Sequence, residues 1–138
     1  LGGIFPAGTR SSDARESKGQ TGVARMTLGS GPPVVPVGIS GTTVRRKVVG
    51  IPLLDHPTLI FGEPMHFDVL ADRAEERAVL RWVTDEVMGA ISDLTGQSYV
   101  DVYGFRVKHG NLKGKDVSKF VKPRPGGKPL PPPRVTKA

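Results

Sequence analysis

Thr9, Arg10 and Ser11 stand directly after Gly8 and together offer a guanidinium, two hydroxyls and backbone N–H groups. That set suits an anion. Charge-assisted hydrogen bonds from arginine to phosphate or carboxylate are about twice as strong as neutral ones, and the guanidinium presents them as a fixed fork. Upstream, Pro6 removes a backbone donor and ends strand pairing, while Gly8 opens dihedrals closed to other residues. A phosphate fits such a turn. A strand-ending turn with a solvated arginine also accounts for these residues, since short motifs often match by chance.

A longer run of segments carries more weight. Phe5-Pro6-x-Gly8-Thr9-Arg10-Ser11, Gly19-Gln20-Thr21-Gly22-Val23-Ala24-Arg25-Met26 and Pro33-Val34-Val35-Pro36-Val37-Gly38-Ile39 follow one another in the chain. Phe61-Gly62-Glu63-Pro64, Thr84-Asp85-Glu86-Val87-Met88 and Gly96-Gln97-Ser98-Tyr99-Val100-Asp101-Val102-Tyr103 come after them. In this order, over residues 3–103, the segments resemble the lysophospholipid acyltransferase family, the 1-acyl-sn-glycerol-3-phosphate acyltransferases. The opening run is similar to the family's third sequence block, which holds the phosphate of the acceptor. The resemblance therefore implies acceptor-phosphate binding by Gly8, Thr9, Arg10 and Ser11. It also implies transfer of a fatty acyl group from acyl-CoA or acyl carrier protein to lysophosphatidic acid, giving phosphatidic acid. No metal and no cofactor beyond that co-substrate is implied.

Two departures bear on that expectation. Ala7 stands where the family block has a glutamate, which puts acceptor identity in question. The family's catalytic His and Asp, separated by four residues, have no counterpart: five residues beyond His56, His66 and His109 lie Phe61, Ala71 and Gly114. No catalytic residue is thus expected within the chain, and the pair is expected upstream. The sequence opens on Leu1 and runs at once into an apolar stretch, so it reads as the second half of a larger fold, inactive alone. Related readings are an acyltransferase acting on another acceptor, such as a glycolipid or aminolipid, and a non-enzymatic polybasic module on membrane surfaces.

The chain has 138 residues, 37% hydrophobic and 24% charged, a globular composition with room for one small core. It contains no cysteine, which excludes disulfides and thiolate metal sites. No apolar run approaches the roughly 18 residues of a membrane span. The net charge of +7 is unevenly placed. Residues 105–138 hold ten bases against one acid, and residues 1–104 hold ten bases against twelve acids. The expected division is therefore an acyltransferase part over residues 1–104 and a disordered, Pro- and Lys-rich basic tail over 105–138. Such a tail could hold anionic lipid at the cytoplasmic face of a membrane, or only solubilise the chain, and its removal should leave the fold intact. Nucleic acid is not expected as a partner, because Phe105 and Phe120 are too few for base stacking.

The elements that must position these residues read as α/β, a mostly parallel sheet flanked by helices. A strand at Ile4–Phe5 is followed by a polar surface loop over 12–19 and a helix over 22–28 capped by Thr21. Its buried face is either Val23 and Met26 or Ala24 and Leu28, and Gly29 to Pro33 stop it. Val34 to Ile39 is continuously apolar and reads as a buried strand, parallel to the first; Pro36 would by itself demote it to an edge or a bulge, and the resemblance, with a proline at this place in the family, implies otherwise. Arg45, Arg46 and Lys47 fall in a loop ahead of the apolar Val48 to Leu54, a combination that could rest on an anionic bilayer or simply be solvated. Thr58 to Phe61 is a short strand. Leu80, Val83, Val87, Ile91 and Leu94 define one face of a helix over 73–95, with an Asp72/Glu75 capping box and Gly96 as its stop. The face bearing Glu76, Arg77, Arg81, Asp85 and Asp93 is read as solvated, and 97–103 as a last extended piece.

Overall fold

The computed structural model describes residues 1–10, 15–42, 44–54 and 56–135. It is a small α/β structure with one long helix and, among the described residues, three short sheets. Helix α1 is Gly22–Ser30 and helix α2 is Arg77–Thr95. Strands are β1 Glu16–Ser17, β2 Val37–Ser40, β3 Val44–Val48, β4 Ile51–Leu54, β5 Thr58–Phe61, β6 Tyr99–Val100 and β7 Val121–Lys122, with a short helix α3 at Gly104–Lys108.

The apolar stripe of α2 does what its spacing requires. Val79, Leu80, Val83 and Val87 are buried against Val23, Ala24 and Leu28 of α1 and against Phe67 and Leu70. Ile91 packs at the edge of this cluster, and Phe67 meets Trp82 edge to face with centroids 6.3 Å apart. Each fully buried aliphatic side chain contributes about 1.5–3 kcal/mol relative to exposure, so this cluster holds the two helices together. In α1 the buried set is Val23, Ala24, Thr27 and Leu28, and Met26 faces solvent. Gly96 ends α2 in the left-handed conformation, φ 66°, with its N–H donating to Ser92 O at 2.8 Å.

The start of α2 differs from expectation. The Asp72/Glu75 capping box does not form, because residues Asp68–Arg73 take a 3-10 helix and α2 begins at Arg77. Arg73 donates instead to both oxygens of Glu76, at 2.9 and 2.8 Å, which fixes the corner between the two helices. Thr21 does sit at the start of α1 but makes no side-chain cap bond.

The sheets are mixed. β1 pairs with β6 in parallel, whereas β6 with β7, β2 with β5 and β3 with β4 are antiparallel. The parallel pairing expected between Ile4–Phe5 and Val34–Ile39 is not formed. Leu1 to Phe5 are exposed coil, and Val34 bridges Met65 before β2 runs antiparallel to β5. Pro36, which has only a carbonyl to offer, uses it to accept from Gly62 N–H at 2.9 Å. The polar loop expected over 12–19 contains β1, and Glu16 is buried there. Its carboxylate accepts from the hydroxyls of Ser92 and Thr95 (2.8 Å for the latter), which compensates the lost hydration. The Arg45–Lys47 run lies in strand β3 rather than in a loop.

Residues 105–135 are not a disordered tail. Val117 is buried with Val100 and Val102, and β7 pairs with β6. Beyond β7 the chain lies along α2. Arg124 donates to both oxygens of Asp93 at 2.6 and 2.7 Å, and the Trp82 indole donates to Lys128 O at 2.7 Å. Gly127 N–H donates to Glu86 Oε1 at 2.6 Å, and Arg73 to Pro131 O at 2.8 Å. The segment carries few apolar residues, but its backbone finds polar partners on the face of α2 that the sequence assigns to solvent. Gly89 makes the approach possible, since a Cβ there would stand 2.3 Å from Pro125 O. Among the described residues no helix is long and apolar enough to cross a membrane.

Candidate functional site

The opening turn is built by two backbone bonds. Gly8 N–H donates to Phe5 O at 2.9 Å, closing a tight turn over Pro6-Ala7, and Gln20 N–H donates to Pro6 O at 2.7 Å, tying the turn to the start of α1. Gly8 has φ 71°, a conformation that side chains disfavour, and a Cβ there would also meet Gln20 Nε2 at 2.6 Å. The positive φ is what favours glycine here; the Gln20 side-chain end could swing aside.

Thr9 is half-buried and Arg10 is exposed. Thr9 rests on Gly104, where a Cβ would come within 2.5 Å of Thr9 Cγ2 and 3.1 Å of Ser17 Oγ. The turn is thus seated between the start of α1 and the start of α3. Among the described residues the Arg10 guanidinium has no hydrogen-bond or ion-pair partner, which leaves its donors available. Ser11 lies outside the described residues.

Beside the turn is an open cleft of about 420 Å³ lined by Gln20, Thr21, Tyr103, Phe105 and Arg106. Arg106 Nε donates to Asn111 Oδ1 at 3.2 Å and the side chain is exposed. Next to Tyr103 is an ionic cluster. Lys18 Nζ donates to Asp101 Oδ1 at 2.8 Å, stands 5.8 Å from the Tyr103 ring centroid, and shares Asp101 with Lys122 at 3.7 Å. Partial burial pushes the Asp101 carboxyl up, but the Lys18 bond and the charges of Lys18 and Lys122 outweigh it, and the group lies below the usual carboxylate value. Burial and the neighbouring Asp101 push the Tyr99 phenol well above its ordinary range, so it stays protonated.

Of the four residues singled out from sequence, the structure brings Gly8, Thr9 and Arg10 into one turn at the rim of a cleft. Gln20, Tyr103 and Arg106 line that cleft and Gly104 seats Thr9, and the sequence does not mark any of the four as site residues. Arg106 was counted with the basic tail, and Gly104 carries no signal until its contact with Thr9 is seen. The arrangement offers cationic and hydroxyl donors over an aromatic wall, which suits an anionic group attached to a less polar body. Among the described residues no group of three or more His, Asp and Glu is placed to hold a metal. His109 meets Phe105 in a tilted ring contact, centroids 5.5 Å apart.

A scan against protein-family models and searches of curated proteins and of solved structures found no significant match to this chain.

Proposed function

We propose that this chain is the acceptor-binding part of a glycerophospholipid acyltransferase. It would act peripherally at the cytoplasmic face of a membrane on acyl-CoA or acyl carrier protein thioesters and lysophosphatidic acid. The observation that carries the reading is the Gly8–Arg10 turn, whose exposed guanidinium has no partner among the described residues and which is tied to Gln20, a residue lining an aromatic-walled cleft. On this reading the acceptor phosphate lies against Arg10 with Thr9 and Ser11, and the chain is the second half of a mostly parallel, helix-flanked sheet. The pairing of β1 with β6 supplies the parallel part present within these residues.

The chemistry needs a base that the chain's three histidines do not supply in the family spacing. In the resembling family a histidine oriented by an aspartate takes the proton of the acceptor hydroxyl. The oxygen attacks the thioester carbonyl, a C–O bond forms, the C–S bond breaks and the thiol leaves with the proton. This chain's share is to fix the phosphate, and with it the distance from phosphate to hydroxyl. Ala7 favours a second reading, an acceptor other than lysophosphatidic acid, because the carboxylate that would direct Arg10 is missing.

The test is acyl transfer from a labelled thioester to lysophosphatidic acid. The 138 residues alone should show none. A longer protein carrying a His and Asp at the family spacing ahead of Leu1 should turn over. Transfer by the 138 residues alone, or the absence of such a pair from the gene upstream, would sink the proposal.

A further inference from the structure

We infer that the β3–β4 hairpin is a lipid-docking element whose tip enters the interface of an anionic bilayer. The tip is Val49-Gly50, between the paired residues Val48 and Ile51. Val49 has φ 51° and Gly50 has φ 80°. Two-residue hairpin turns with positive φ at both positions favour Asn or Asp followed by Gly, and a β-branched residue at the first is a conformational outlier. The chain nevertheless places valine there, and the side chain is 95% exposed. Ile51, next along, is 65% exposed. Neither the turn nor the core gains from these two residues, so a partner outside the fold is the physical reason to keep them.

The sequence around the tip identifies that partner's chemistry. Residues 44–54 contain Arg45, Arg46 and Lys47 and no acid. β3 sets the three within four residues of Val49, a span of about 13 Å along a strand. An apolar tip behind a band of cations matches the layering of an anionic membrane surface, apolar below and negative at the headgroups. β3 and β4 pair chiefly with each other, so the tip is not held down on the core. The inference extends the membrane-surface part of the proposed function. Its readout involves no turnover, so it can fail while acyl transfer stands, and the reverse.

The experiment is co-sedimentation of the 138-residue chain with vesicles of phosphatidylcholine containing phosphatidylserine, and with phosphatidylcholine alone. Binding should require the anionic lipid and fall with salt. Replacing Arg45, Arg46 and Lys47 by Gln should weaken it about fivefold per cation, on the order of 100-fold together. Val49→Asn restores favourable turn chemistry, so its thermal midpoint should hold or rise while vesicle binding falls by roughly tenfold. Lys113, Lys115 and Lys119 replaced by Gln serve as a charge-matched control and should cost much less. Equal binding to neutral vesicles, unchanged binding by Val49→Asn, or an equal loss in the control would each overturn the inference. So would a concentration-dependent dimer that dissociates on Val49→Asn without any vesicle binding.

Discussion

Two cationic regions of this chain use their charge in opposite ways. The segment from Phe105 to Val135 is the more basic in sequence, yet it is fastened to the protein. Val117 is in a core cluster, Arg124 is paired with Asp93, and carbonyls from Lys128 and Pro131 accept from Trp82 and Arg73. The hairpin over residues 44–54 holds three cations and turns Val49 and Ile51 outward. Net charge alone therefore does not tell which of the two segments is held within the chain. What separates them is whether the backbone and the neighbouring apolar residues already have partners within the chain.

The largest expected effect that sharpens this contrast is on stability. Deleting residues 117–138 removes Val117 from its cluster and β7 from the sheet, and should lower unfolding free energy by at least about 2 kcal/mol in a denaturant titration. The hairpin triple Gln variant should lower stability by less than the truncation does, because β3 and β4 pair chiefly with each other. If truncation left stability unchanged, the segment would be the loose tail its composition suggests.

A smaller effect is expected at the crossing of the segment over α2. Gly89→Leu forces a side chain into the space of Pro125 O and Arg124, an overpacking that should cost about 1–3 kcal/mol or lift the segment away. Trp82 is the only tryptophan, and its indole reports directly through Lys128. Its emission should shift to the red. An unshifted emission with unchanged stability would mean that the segment does not lie over Gly89.

The smallest effect is acidic. The Arg124 hydrogen bond and charge hold the Asp93 carboxyl below its ordinary value. A depressed carboxylate contributes stability above its unfolded pKa, near 4, and loses it as pH falls through the lower folded value. Docking should therefore be complete at neutral pH and weaken only below about pH 4, read as a red shift of Trp82. Asp93→Asn should flatten that acid dependence. The pair is exposed, so a slight change is expected, and an acid shift unaffected by Asp93→Asn would assign it to other groups.

How much could be read from the residues follows the range of the interactions. The core face of α2 was legible because Leu80, Val83, Val87 and Ile91 recur at helical steps and the spacing alone selects one face. The start of that helix was not, because Arg73 captures Glu76 and a 3-10 turn precedes it, a competition among local options of similar energy. Helix α1 and strand β5 were legible from their flanking glycines and prolines. The docking of residues 105–135 was hidden because its partners are backbone carbonyls and an ion pair between residues 31 positions apart. Gly89 in the middle of a helix, where alanine is favoured by about 1 kcal/mol, was the one local sign that something passes close by. At the candidate site, the turn at Gly8 was legible from the order of Pro6 and Gly8, whereas Arg106 and Gly104 become meaningful only once α3 is folded against the turn.

The central functional claim is that Arg10 holds the acceptor phosphate, and kinetics of Arg10→Ala in an active longer protein test it most directly, with acceptor and thioester varied separately. Loss of a charge-assisted contact worth about 1.5–3 kcal/mol should raise the acceptor KM by roughly 10- to 150-fold and leave the donor KM within about twofold. Equal changes for the two substrates would make Arg10 a structural residue of the turn and contradict the account.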